Sequence, residues 1–290
     1  MESSTNNPPL IVIVGPTASG KSQVAMHLAE KFGGEIIAAD SRTIYRGMDI
    51  GTAKPTPAEC ARVQHHLIDI ADPDEPFTVA DFQSRAQACI LDISARGKLP
   101  IMVGGTGLYV DSVLFNFGFQ KPGDVKRREV LQKLSVEELQ QLLYSQGIEL
   151  PTNKKNPRHL IRKLETGNES PKSQTLRPNT LIVGIEVDRE VLKQRIIHRT
   201  AAMFADGLES EARMLASKYG WSRALQTIGY QEFAPYFAGS GALEDVQEEI
   251  VRDTISYAKR QRTWFTRNKS IHWRSQQREV EDLITTFLSK

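Results

Sequence analysis

Residues 15–22 read Gly-Pro-Thr-Ala-Ser-Gly-Lys-Ser, a full match to the phosphate-binding pattern G-x-x-x-x-G-K-[ST]. The run Leu10–Val14 before it is wholly apolar, and after it Val24, Ala25, Leu28, Ala29 and Phe32 share one helical face. Strand, glycine loop and helix in that order fix a local geometry. Backbone N–H groups of the loop and the helix N-terminus converge on one spot and make it a seat for an anion. Gly15, Pro16, Thr17, Ala18, Ser19, Gly20, Lys21 and Ser22 are therefore the candidate diphosphate-binding residues. Lys21 is expected to reach terminal phosphate oxygens, and Ser22 to ligate Mg²⁺. The loop reads phosphates and not the group attached to them, so by itself it leaves the substrate open.

Further strands follow from apolar runs: Ile36–Ala39, ending at Asp40; Ile101–Val103, ending at Gly104-Gly105; and Leu181–Ile185, ending near Asp188. Val79–Ala95 has helical spacing at Val79, Phe82, Ala86, Cys89, Ile90 and Ile93, and Gly97 stops it. Strands alternating with helices behind a phosphate loop predict an α/β fold, a P-loop-type parallel sheet flanked by helices. Residues 117–177 carry helical patterns and no buried strand, with a capping-box signature at Ser135–Glu138 before Leu139, Leu142 and Leu143. Thr166–Asn179, polar and with two prolines, reads as a loop returning to the core. The expected division is a first core segment 1–116, a mostly helical insertion 117–177 and a return to the core over 178–290. Within the return, 188–219 is expected to be a helix or helix pair capped by Asp188. Residues 222–262 are expected to be helical, broken around Pro235 and Gly239–Gly241.

Composition narrows the partners. The formal net charge over 290 residues is only +2, so any nucleic-acid footprint must be local. Cys60 and Cys89 have neither metal-ligand spacing nor a disulfide framework. The polar start Met1–Pro9 lacks a signal-peptide pattern and no run is long enough to span a bilayer. The expectation is a cytoplasmic monomer with no membrane partner.

Ligands of open α/β sheets bind beyond the carboxyl ends of the strands. That rule selects Asp40 and Thr106 besides the phosphate loop. Asp40 at its strand end is either a proton acceptor or metal ligand, or a cap. Thr106 lies in a glycine turn, and either faces a ligand or serves the turn alone. His65-His66 reads as structural, because adjacent side chains diverge and no third metal ligand is spaced to help. Two stretches are basic: Lys154–Lys163, with five Lys or Arg and no acid, and 252–274, with seven against Asp253. Tyr257, Trp264, Phe265 and Trp273 are interleaved in the second. Basic groups and aromatics together suit unpaired bases, and a solvated helix with its aromatics facing the core suits them equally.

The loop at 15–22, the block from Asp40-Ser41 through Tyr45-Arg46-Gly47-Met48-Asp49-Ile50-Gly51-Thr52-Ala53-Lys54-Pro55, Gly104–Tyr109 and Lys259–Phe265 together resemble the tRNA dimethylallyltransferase (tRNA isopentenyltransferase) family of bacterial type. His66–Asp69 and Ile228-Gly229-Tyr230 fit as well, and the resemblance runs through nearly the whole chain in order. It implies transfer of a dimethylallyl group from dimethylallyl diphosphate to N6 of the adenosine 3′-adjacent to the anticodon in the tRNA anticodon stem-loop. In that reading Asp40 accepts the amine proton, Lys21 stabilises the leaving pyrophosphate, Thr106 contacts the reacting groups and Ser22 holds Mg²⁺. The target adenine leaves its stack to react. Residues implied to contact tRNA are Asp40, Ser41, Arg42 and Thr43; Arg128; Arg158, His159, Leu160, Ile161 and Arg162; and Lys259, Arg260, Gln261, Arg262, Thr263, Trp264, Phe265 and Thr266. The chain departs from the family at Arg42-Thr43-Ile44, at Gln226, where some members place an arginine, and in the loosely matching stretch 121–128. An adenylate isopentenyltransferase, a P-loop kinase of a small metabolite and a non-catalytic RNA-binding module are the competing readings.

Overall fold

The computed structural model describes residues 7–118, 125–167 and 175–289. Residues 121–124 of the loosely matching stretch and 168–174 of the expected return loop lie outside the described residues. In chain order the elements are β1 (Leu10–Val14), α1 (Lys21–Phe32), β2 (Gly34–Ala38), α2 (Pro57–Arg62), β3 (His65–His66), α3 (Val79–Ala95), β4 (Leu99–Gly104) and α4 (Gly107–Leu114). Then come α5 (Val125–Leu131), α6 (Val136–Ser145), α7 (Pro157–Thr166), β5 (Thr180–Ile185), α8 (Arg189–Ala205) and α9 (Leu208–Tyr219). The chain closes with α10 (Phe233–Phe237), α11 (Leu243–Phe265), β6 (Ile271–Arg274) and α12 (Gln277–Leu288). Two compact units result, Met1–Leu114 with Arg177–Lys290, and Phe115–Leu176.

The first unit is built on a parallel sheet in the order β3-β2-β4-β1-β5-β6. β1 lies at its middle because Leu10–Val14 is apolar at every position and buried at every position, as a strand covered on both faces must be. Its Ile11 pairs with Ile101 of β4 and Leu181 of β5. This order sets β2, β4 and β1 side by side, so the segments after their carboxyl ends, beginning at Ala39, Gly105 and Gly15, emerge together. One core cluster packs Ala25 and Leu28 of α1 and Val280 and Ile284 of α12 against the strands. Another joins Ile44, Tyr45 and Met48 to Leu208, Leu215, Tyr230, Phe233 and Ile250.

The expected helix at 79–95 is present, with Thr78 and Asp81 forming a capping box and Phe82, Ala86, Ile90 and Ile93 buried. The 188–219 segment is a helix pair, and the Asp188 carboxylate accepts from the Glu190 and Val191 amides at its start. Two expectations need correction. The stretch 222–232 forms turns and not helix, and the break falls at 238–242 around Gly239–Gly241, while Pro235 sits third in α10, where its missing N–H would have had no intrahelical acceptor. The sheet also has two edge strands the apolar runs do not announce. β3 is only two residues long, and β6 pairs with β5 through Ile182 and Ile271.

The second unit has its own small core, Leu131, Leu139, Leu143, Leu160, Ile161 and Leu164, drawn from α5, α6 and α7. Ser135 caps α6 by accepting from the Glu138 amide at 3.2 Å, and Glu138 returns the bond. No helix among the described residues is long and apolar enough to cross a membrane.

Candidate functional site

The phosphate loop turns into α1 through Gly20, whose φ of 89° is left-handed and suits a residue without Cβ. Lys21 opens the helix, and among the described residues its Nζ makes one hydrogen bond, a long one of 3.5 Å to the Pro16 carbonyl. Burial pulls the Lys21 ammonium down to about 8, with the Asp40 carboxylate opposing and Arg199 adding like-charge repulsion. Ser22 stands exposed on the first turn of α1. Its hydroxyl is a hard oxygen donor, and no group of three or more His, Cys, Asp or Glu among the described residues gathers around a metal position. That donor set fits a Mg²⁺ that keeps waters and takes phosphate oxygens from a substrate.

Asp40 and Thr106 come from adjacent strands and are tied to each other's loops. The Ser41 amide donates to Thr106 Oγ1 at 3.1 Å, the Thr106 amide donates to the Ala39 carbonyl at 3.3 Å, and Asp40 Oδ1 accepts from the Arg42 amide at 2.8 Å. The glycines around Thr106 make room for protein, the second of the two readings open for this turn. A Cβ on Gly104 would lie 2.0 Å from the Ala39 oxygen, on Gly105 2.1 Å from Gln261 Nε2, and on Gly107 2.3 Å from Trp264 Cδ1. Gln261, 4% exposed, accepts from the Thr17 amide at 2.7 Å and donates to the Gly105 carbonyl at 3.0 Å. One amide thereby joins the phosphate loop to the Thr106 loop. Tyr257, one helical turn earlier, reaches the same place. Burial and the Asp40 charge push its phenol up to about 12, against the opposing influence of Thr106 and Gln261, so it is neutral at physiological pH.

The Asp40–Pro55 block is anchored from below. The Glu211 carboxylate of α9 accepts the amides of Asp49, Ile50 and Gly51 at 2.8–3.1 Å and the Tyr230 hydroxyl at 2.7 Å. Tyr230 packs so closely that a Cβ on Gly51 would lie 2.6 Å from its ring. Lys54, its side chain 5% exposed, donates to the Tyr45 carbonyl at 2.7 Å and to Asp49 and Asp69 at 2.5 Å each. Much of this block therefore holds its own shape, and presents Asp40, Ser41 and Arg42.

The residues grouped by sequence as tRNA contacts separate by burial. On α11, Val246, Ile250, Thr254, Ala258, Gln261 and Phe265 face inward, while Lys259, Arg260, Arg262 and Thr263 are exposed, as is Thr266 just past its end. Trp264 is half-buried on Gly107 and donates to Asp111 at 3.1 Å. Trp273 lies on Gly184 of β5. The interleaved aromatics thus pack against the fold, the second of the two readings that stretch allowed. In the helical unit, Leu160 and Ile161 belong to the core, leaving Arg158 and His159 exposed and Arg162 half-exposed. Arg128 and Arg162 flank buried Glu165 at 3.4 and 3.8 Å. Thr43 is buried too. His65 bonds the Val63 carbonyl and His66 bonds Glu35, both structural roles. Gln226 donates to the Trp221 carbonyl. The sequence reading missed Tyr257, Glu211 and Arg199 as site-forming residues. Arg195 and Arg199, one turn apart on α8, were the available signal for the last.

Comparison with known proteins adds to this geometry. The family model described as IPP transferase matches residues 43–269. A tRNA dimethylallyltransferase of Geobacillus thermodenitrificans is 41% identical over 91% of this chain and 89% of its own length. One of Citrifermentans bemidjiense is 44% identical over 91% of both. The tRNA isopentenylpyrophosphate transferase of Bacillus halodurans superposes with a TM-score of 0.77 at 36% identity, covering 97% of each chain. A eukaryotic dimethylallyltransferase acting on tRNA gives a TM-score of 0.77 at 29% identity over 89% of this chain and 69% of its own.

Proposed function

Since the chain belongs to the IPP transferase family, we propose that it transfers a dimethylallyl group from dimethylallyl diphosphate to N6 of the adenosine 3′-adjacent to the anticodon of tRNA, releasing pyrophosphate. The observation that carries the chemistry is the convergence at neighbouring strand ends of an anion-binding loop and an acid–hydroxyl pair, Asp40 and Thr106, stitched together by Gln261.

The phosphate loop and Lys21 take the diphosphate. As the C–O bond to the dimethylallyl carbon breaks, its electron pair leaves on the diphosphate oxygen, and Lys21 with the loop amides stabilises that growing charge. Ser22 would hold Mg²⁺, which would supply charge neutralisation for the leaving group. The adenine N6 lone pair is delocalised into the ring, so the amine attacks poorly unless oriented. Asp40 accepts its proton as the C–N bond forms. Thr106 and the neutral Tyr257 phenol beside it orient the acceptor. Exposed Lys259, Arg260 and Arg262 on α11, and Arg158 and Arg162 on α7, supply cations for tRNA phosphates.

The basic exposed faces favour a polymeric acceptor over a free adenine nucleotide. Labelled dimethylallyl diphosphate and Mg²⁺ offered with unmodified tRNA, AMP or ATP separate the two. Label on tRNA alone, beside the anticodon, supports the proposal. Label on the mononucleotide replaces it with adenylate prenylation, and phosphate transfer without prenylation replaces it with a kinase.

A further inference from the structure

We infer that Arg199 of α8 is a further catalytic residue, a ligand of the leaving diphosphate that reaches the phosphate loop from outside the motif. Its Nη2 donates to Thr17 Oγ1 at 2.7 Å. Its Nε is sealed from solvent and has no hydrogen-bond partner. A guanidinium carries five donors in a fixed fork, and a donor sealed from water without an acceptor is costly unless an anion arrives. The surrounding charges leave it short. Arg199 and Lys21 repel one another and share the single carboxylate of Asp40. Two half-buried cations sharing one carboxylate leave net positive charge beside the phosphate loop, the complement of a diphosphate.

Thr17 completes the arrangement. Its hydroxyl oxygen accepts from Arg199, so its own proton is free to donate to a phosphate oxygen. One turn earlier, Arg195 Nη1 donates to the Ser19 carbonyl at 3.3 Å and holds α8 against the loop, a positioning contact. During transfer the electron pair of the breaking C–O bond passes to the diphosphate oxygen while the amine proton passes to Asp40. Arg199 then faces the group on which negative charge accumulates.

The catalytic half rests on the prenyl-transfer reading; the ligand half does not, and the test separates them. Wild type, Arg199→Ala and Arg199→Lys are compared for magnesium pyrophosphate affinity by titration calorimetry, for melting temperature with and without pyrophosphate, and for single-turnover transfer to tRNA. Loss of one charge-assisted fork should weaken pyrophosphate binding about 10- to 100-fold in Arg199→Ala. Arg199→Lys, keeping charge and losing the fork, should fall between. The transfer rate should drop at saturating donor with tRNA affinity unchanged. The unliganded melting temperature of Arg199→Ala should hold or rise, with a smaller upshift by pyrophosphate. Pyrophosphate affinity within twofold of wild type in Arg199→Ala overturns the inference. A lowered unliganded melting temperature with unchanged affinity likewise assigns Arg199 to structure alone. If wild type transfers nothing to tRNA while Arg199→Ala still loses pyrophosphate affinity, the ligand stands and the catalytic role falls with the prenyl reading. A wild type that does not bind pyrophosphate ends both.

Discussion

Gln261 stands in the polar run Lys259-Arg260-Gln261-Arg262-Thr263, yet its side chain turns away from its neighbours and satisfies a loop amide and a loop carbonyl. Gln261→Leu would strand both groups, at about 1–3 kcal/mol for each one left unsatisfied. The expected outcome is a lower melting temperature and a raised KM for dimethylallyl diphosphate, measured by calorimetry and steady-state transfer. Glu211 presents the same case: Glu211→Gln loses the charge that gathers three amides and a phenol. We expect about 2 kcal/mol of destabilisation by denaturant titration, with the loss of activity tracking Asp40 placement. Lys21, Asp40 and Thr106 can be nominated from sequence because a motif and two strand ends point to them. Glu211 and Arg199 are harder to read, because the loop groups they bond lie 160 or more residues away, and only the one-turn spacing of Arg195 and Arg199 hints at the second.

At the scale of elements, α11 carries two functions on two faces. Its inward stripe recurs at three- and four-residue steps through Val246, Ile250, Thr254, Ala258, Gln261 and Phe265, which fixes Lys259, Arg260, Arg262 and Thr263 outside. Lys259→Ala, on the exposed face, should weaken tRNA binding and reduce the slope of log affinity against log salt by about 1. Binding isotherms at several salt concentrations read this directly, and an unchanged slope removes Lys259 from the interface. The long helices were legible because their apolar period persists over several turns, as in α3 and the α8–α9 pair. β3 and β6 were not, since two histidines and Ile-His-Trp-Arg offer no apolar run. They are strands because neighbouring β2 and β5 present free edges. The glycine turn after β4 suits either a ligand or a plain turn, and the packed Trp264 and Gln261 reveal what those glycines admit.

Across the whole molecule, the parallel sheet follows from sequence because a phosphate loop after a buried strand admits few other architectures. Stability has a less visible anchor on the same sheet. Glu35 of β2, its side chain 2% exposed, accepts from Arg96, Lys98 and His66. Those hydrogen bonds, Arg96 foremost, hold its carboxyl far below the usual carboxylate range despite the opposing effect of burial. A carboxyl depressed in the fold stabilises it above the ordinary value of 4.5 and loses that contribution as pH falls further. Glu35→Gln should therefore cost about 3 kcal/mol at pH 7 and flatten the acid limb of the stability curve, as read by urea titrations from neutral pH downward. The central claim is that the phosphate loop and Asp40 act on a single prenyl transfer to tRNA. Its most direct test is single-turnover transfer from dimethylallyl diphosphate by Asp40→Asn with both substrates saturating. The account expects the rate to fall about 100-fold or more while tRNA affinity stays near that of wild type. A variant that transfers at close to the wild-type rate would contradict it.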